Sequence, residues 1–115
     1  MSDVRVEVEP TQYRVRLYLH QGANYDLSCQ ISVYGDRGFV SSITGSSPGV
    51  YRAINIWLQA MFDETGVKTL EGYMTDAHVR LFKRSDFNIS VPHRGVMAGR
   101  EMPWLVVKEK DDVIN

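Results

Sequence analysis

"MTDAHVRLFKRSDFNI", from Met74 to Ile89, decides how the second half of this chain is read. Its apolar residues first keep helical spacing, with His78, Leu81 and Phe82 sharing a face. They then switch to alternation through Phe87, Ile89 and Val91. Thr75 or Asp76 caps the short helix, and Pro92 ends the strand. The charged cluster between them stands where a glycine turn is common. Helix and strand in this order need a sheet to pack on.

Reading back toward the N-terminus, "VKTLEGYMT" is a strand weakened by Gly72. Before it, "GSSPGVYRAINIWLQAMFDETG" predicts a long helix. Ser47 is its N-cap and Pro48 its first helical residue. Val50, Ile54, Trp57, Leu58 and Met61 form its apolar face, and Gly66 stops it. The first half alternates instead. Val4, Val6 and Val8 form one set, ended by Pro10. Tyr13, Val15, Leu17 and Leu19 form a second, and Leu27, Cys29, Ile31 and Val33 a third. "YGDRG" is a tight connection with Gly35 and Gly38 available for positive φ, and "FVSSIT" is a fourth strand. Past Pro92, "HRGVMAGRE" reads as a glycine-containing loop and "MPWLVVKEK" as the last strand. The order is four strands, a long helix, a strand, a short helix and two strands. It predicts one α+β domain over residues 1–115, with a mainly antiparallel mixed sheet.

The 115 residues fit a single core, and 43% hydrophobic and 23% charged residues are ordinary for a globular chain. A net charge of -1 provides no drive toward nucleic acid or anionic membrane. Cys29 is the only cysteine, which excludes an internal disulfide and suits a reducing compartment. Its alternating context makes it a small core residue. No apolar run approaches the roughly 20 residues of a membrane span. "MSDVRVEVEP" is charged and lacks a signal-peptide core. The expected location is therefore cytoplasmic, with no membrane or nucleic-acid partner.

His20, His78 and His93 have no second ligand at metal-binding spacing, so no metal site is expected. His78 has two readings: a base or substrate-orienting group with a pKa near neutrality, or a half-buried helix residue bonded to a backbone carbonyl. Arg80, Lys83 and Arg84 lie late in the short helix, where cations suit its dipole. Trp57 reads as core. Tyr73 and Trp104 read as a cross-strand pair or as pocket lining. At the start of the long helix, Ser46, Ser47, Gly49, Val50 and Tyr51 either bring unpaired N–H groups to a phosphate or simply cap the helix.

This order of elements, with the opening stretch, resembles the GCN5-related N-acetyltransferase (GNAT) fold over residues 13–108. The resemblance implies acetyl-CoA as cofactor and direct acetyl transfer to an amine on a small molecule or protein. In the family's Gln/Arg-x-x-Gly-x-Gly/Ala loop, Gly49 takes the first glycine, Ser46 the Gln/Arg position and Tyr51 the second small residue. It implies pyrophosphate contacts from Gly49, Val50 and Tyr51. The backbone around Val40, Ser42 and Ile43 then lines the pantetheine, and Arg80 meets the 3′-phosphate. His78 is the best-placed catalytic candidate. Three departures accompany these matches. Phe82 stands where members carry a tyrosine acid, with Thr75 on the family's asparagine and Asp86 on its glycine. Tyr51 is bulky where a small residue is usual. The acceptor-side helices between the first two strands are reduced or absent.

The His78-x-Arg80 run is also similar to short acetyltransferase-like proteins of tailed phages. Two functions therefore compete: an N-acetyltransferase, and a catalytically degenerate GNAT-fold binding or structural module, phage-derived or virion-associated. A homodimer completing the acceptor side is a further expectation.

Overall fold

In a computed structural model the described residues are 4–9, 13–19, 24–45 and 49–110. They form one seven-stranded sheet: β1 (Arg5–Glu9), β2 (Arg14–Tyr18), β3 (Leu27–Tyr34), β4 (Arg37–Thr44), β5 (Thr69–Tyr73), β6 (Asn88–Met97) and β7 (Arg100–Lys108). The spatial order is β1-β2-β3-β4-β5-β7-β6. Only β4 and β5 run parallel. Between them lie a 3₁₀ turn, Val50–Ala53, and the helix α1, Ile54–Thr65; the helix α2, Asp76–Phe82, joins β5 to β6.

Alternation carries the core. Val15, Leu17, Leu27, Cys29, Ile31, Val40, Leu70, Leu105 and Val107 occupy one face of the sheet and are buried. Both helices pack on that face. α1 buries Ile54, Trp57, Leu58, Met61 and Phe62. The Trp57 indole N–H donates to the Val15 carbonyl at 3.3 Å. α2 buries Val79 and Phe82, and the Phe82 ring meets Trp57 edge-on at 6.0 Å. The face of α2 thus differs from expectation: Val79 replaces His78 and Leu81 as the deepest partner of Phe82. Cys29 is fully buried and desolvation pushes its thiol up to about 12, an inert core residue.

The helix ends follow local chemistry. Gly66 caps α1 at φ 69, its N–H donating to the Phe62 carbonyl at 2.8 Å. Thr75 caps α2, accepting from the His78 backbone N–H at 3.2 Å. At the other end of α1 the first described cap is Gly49, at φ 91, followed by the 3₁₀ turn. Pro10, His20, Ser46, Ser47 and Pro48 lie outside the described residues.

Two stretches differ from expectation. "HRGVMAGRE" is a hairpin rather than a loop: β6 runs on through Pro92 to Met97. Its register with β7 slips by one residue between Ser90 and His93. Pro92 sits in that bulge on the outermost strand, where its missing N–H breaks no ladder bond. The turn is Ala98-Gly99, with φ of 52 and 77, the pair of left-handed residues that a two-residue hairpin turn demands. Gly38 needs no positive φ. It is buried in β4 because a Cβ there would lie 2.9 Å from Leu70.

Gly72 is tighter still: an added Cβ would fall 2.3 Å from the Val40 carbonyl oxygen of the neighbouring strand. Gly72→Ala should therefore lower stability by about 2 kcal/mol, as overpacking against rigid backbone does. Urea denaturation checks this; a variant as stable as the parent means the strands do not approach as described.

Candidate functional site: a slot between two parallel strands and the groove at its mouth

β4 and β5 pair through Arg37↔Thr69, Gly38↔Leu70 and Phe39↔Glu71 and then stop, although β4 continues to Thr44 and β5 to Tyr73. Two local features part them. β4 carries an extra residue against β3, its register shifting between Ser28 and Gln30, with Ser42 at φ 54. Opposite, the Val40 carbonyl presses on Gly72, where no side chain can intervene. Beyond this point the β5-facing edge of β4, from Ser41 to Thr44, has no strand partner. It offers backbone N–H and C=O groups to a ligand. Parallel strands that diverge at their carboxyl ends are a general setting for ligand pockets.

Glu71 pins the closed end. Its carboxylate accepts from Arg37 Nε at 2.9 Å and Arg37 Nη2 at 2.8 Å, from Thr69 Oγ1 at 2.8 Å and from Trp104 Nε1 at 3.3 Å. The Arg37 hydrogen bond is the chief reason its pKa falls to about 2, against a burial effect of opposite sign. A carboxylate so held is a strut and not a base. Around it the rings of Tyr73, Trp104 and His93 pack together. Tyr73 and Trp104 are cross-strand partners with centroids 4.8 Å apart, and His93 stacks on Trp104 at 5.6 Å.

At the open end, β4 gives way to Gly45, at φ 91. His78 reaches this point from α2. Its Nδ1 lies 3.0 Å from the Thr75 hydroxyl, and it hydrogen-bonds the Gly45 backbone. The Gly45 contact favours the charged ring, so the ring donates there and the acceptor is the carbonyl. Burial outweighs this and lowers the pKa, leaving the ring neutral at pH 7. His78, half-buried and held at Nδ1 by Thr75, ties α2 to the end of β4.

Next to this tie runs a groove of about 490 Å³, with Gly49, Val50 and Tyr51 on one wall and Ala77, Arg80, Leu81 and Arg84 on the other. Sequence reasoning had named Gly49, Val50, Tyr51 and Arg80, and the fold brings all four together. A Cβ built on Gly49 meets nothing within 4 Å, so the backbone here is open to a close approach. Val40 is a core residue and reaches the slot only through its carbonyl. Ser42 and Ile43 lie on the unpaired edge of β4. Phe82 is fully buried against Trp57 and does not reach the slot. Glu71 was missed, because its partners Arg37 and Trp104 lie 34 and 33 residues away. Among the described residues no cluster of His, Cys, Asp and Glu could hold a metal ion.

No family model matches the sequence, and no curated protein matches it. Solved structures do resemble it. The ribosomal-protein-S18-alanine N-acetyltransferase from Escherichia coli aligns with TM-score 0.53 and 18% identity, over 85% of this chain and 68% of that one. The AHL synthase LasI aligns with TM-score 0.60 and 13% identity, over 92% and 73%. The protein yncA from Salmonella typhimurium, solved with its cofactor acetyl-CoA, aligns with TM-score 0.56 and 10% identity, over 92% and 69%. This chain has the GNAT fold. At such identities the likeness is one of architecture. The parting of β4 and β5 lies at the middle of the seven-stranded sheet. β1 and β2 pair antiparallel with Glu9 opposite Arg14, so four residues separate them in the chain. Among the described residues no helix is long and apolar enough to cross a membrane.

The Glu71 strut makes stability pH-dependent in a defined sense. Its folded pKa is depressed, so its stabilisation is complete above the unfolded value of 4.5 and is lost as pH falls toward about 2. Arg37 is 53% exposed, and solvent screening limits the pair. Glu71→Gln should cost about 1–2 kcal/mol at pH 7. In urea titrations the gap to the parent should narrow below pH 4.5 and close as pH approaches about 2. A constant gap would mean that the carboxylate's charge carries none of the effect.

Proposed function

We propose that this GNAT-fold chain binds an acyl-CoA donor, its phosphates in the groove beside Gly49 and its pantetheine arm along the unpaired edge of β4. The observation that carries this reading is the groove itself, which sets the backbone of Gly49, Val50 and Tyr51 against Arg80 and Arg84. The groove also suits the anionic end of the donor. Gly49 leaves the backbone uncovered, Arg80 and Arg84 supply charge, and no carboxylate lines it. Bound there, acetyl-CoA supplies an activated acetyl group for direct attack by an amine.

The chain's own residues have separable tasks. Backbone N–H groups of Gly49, Val50 and Tyr51 hold phosphate oxygens. Free N–H groups between Ser41 and Thr44 pair with the arm's amides and orient the carbonyl that gains charge during transfer. His78 holds the mouth in shape. Phe82, without a hydroxyl, moves no proton.

Three observations favour a second reading, a GNAT-fold module that binds the donor or a partner without turnover. Phe82 is buried in the core, Glu71 is locked in hydrogen bonds, and the acceptor side lacks helices between β1 and β2. Calorimetry with acetyl-CoA separates the possibilities. Binding is expected, and Arg80→Gln should weaken it about tenfold through loss of one charge-assisted contact. Absence of heat with the parent chain refutes the donor site. Release of free thiol in the presence of amines marks the transferase; binding without thiol release marks the module. His78→Gln should leave donor affinity within about threefold if the ring serves only as a tie.

A further inference from the structure

Tyr51 stands where the resemblance calls for a small residue, and the structure shows what its ring does there. It does not fill the groove. The Arg84 guanidinium lies over one of its faces, 3.8 Å from the ring centroid, which is stacking distance. The Arg52 guanidinium also lies over the ring, more distantly, with Cζ 5.7 Å from the centroid. Its proximity lowers the phenol's pKa. A ring held between neighbouring guanidinium groups has little freedom left. It is nonetheless 37% exposed, at the rim of a groove that already contains Arg80.

We infer that Tyr51 and Arg84 form a stacking platform for the adenine of the donor, and that the groove therefore selects a nucleotide-bearing thioester over a phosphopantetheine arm carried on a protein. The inference rests on reading the groove as the donor site. The ring keeps part of its surface exposed to a second π system, and stacking tolerates any purine. Arg80 and Arg84 lie within the same groove for the phosphates that flank such a base. The phosphopantetheine arm alone has one phosphate and no base, so it gains nothing from Tyr51. The platform also explains how a bulky residue is tolerated here: it takes part in binding the end of the donor that the backbone of Gly49 does not reach.

Calorimetry on the full chain tests this with three probes: 3′,5′-ADP, 4′-phosphopantetheine and acetyl-CoA. The expected result is that 3′,5′-ADP binds and competes with acetyl-CoA. Tyr51→Ala should weaken both by about tenfold or more, and Tyr51→Phe, which keeps the ring, should retain affinity. Phosphopantetheine affinity should be the same in all three proteins. Because Tyr51 is exposed, the variants should fold, and matching circular dichroism spectra check that they do. The platform is overturned if Tyr51→Ala leaves 3′,5′-ADP binding unchanged or weakens phosphopantetheine equally. Acetyl-CoA binding without 3′,5′-ADP binding removes the platform and leaves the donor site standing. The reverse keeps the platform and removes the acyl donor, and silence from all three probes removes both.

Discussion

Glu71 sits on the last residue pair that β4 and β5 share, and it draws hydrogen bonds from β4, from its own strand and from β7. Everything on the open side of that point depends on it. The bulge at Ser42 turns β4 away past the close contact of Val40 with Gly72, while the strut keeps the divergence from running back down the sheet. A parting of strands without such an anchor would simply fray, because unpaired buried backbone is costly. The charge is well placed for the task, since a carboxylate with four donors is rigid and Arg37 can approach it in a bidentate manner.

The slot also needs a wall, and the two helices provide it from one side only. α1 begins just after β4 and α2 just after β5, so the strands that diverge each deliver a helix to the same face of the sheet. Trp57 and Phe82 lock those helices together, and His78 ties α2 to Gly45 at the end of β4. The opposite face has a different character. Arg14 is held by Ser28 and Gln30, and Phe39, Tyr73, Trp104 and His93 pack on one another around Glu71. Among the described residues both helices thus lie on one face of the sheet, and no helix packs on the other.

Much of this was legible from residue order. Alternation over β1 to β4 and helical spacing over α1 are local patterns with strong periodicity, and both elements formed where the pattern lay. The groove residues were legible for a different reason: Gly49, Val50 and Tyr51 open a helix, and Arg80 lies one helical face away on α2. The β6–β7 hairpin was not. Ala98-Gly99 is a weaker turn signal than Asn-Gly, and Pro92 marks a strand end unless one knows that it occupies a bulge on an edge. Gly72 was read as weakness in a strand, whereas it is the point at which a neighbouring carbonyl must come close.

Strand and helix periods, caps such as Thr75 and Gly66, and the sequence of elements that points to an α+β domain follow from neighbours within a few positions along the chain. They were present in the amino-acid order because the forces behind them are short-range in sequence. The pairing of Arg37 with Glu71, the turning of Tyr51 onto Arg84 and the approach of His78 to Gly45 were decided elsewhere. Each joins residues dozens of positions apart, and each geometry exists only once packing has set the distance between their strands and helices.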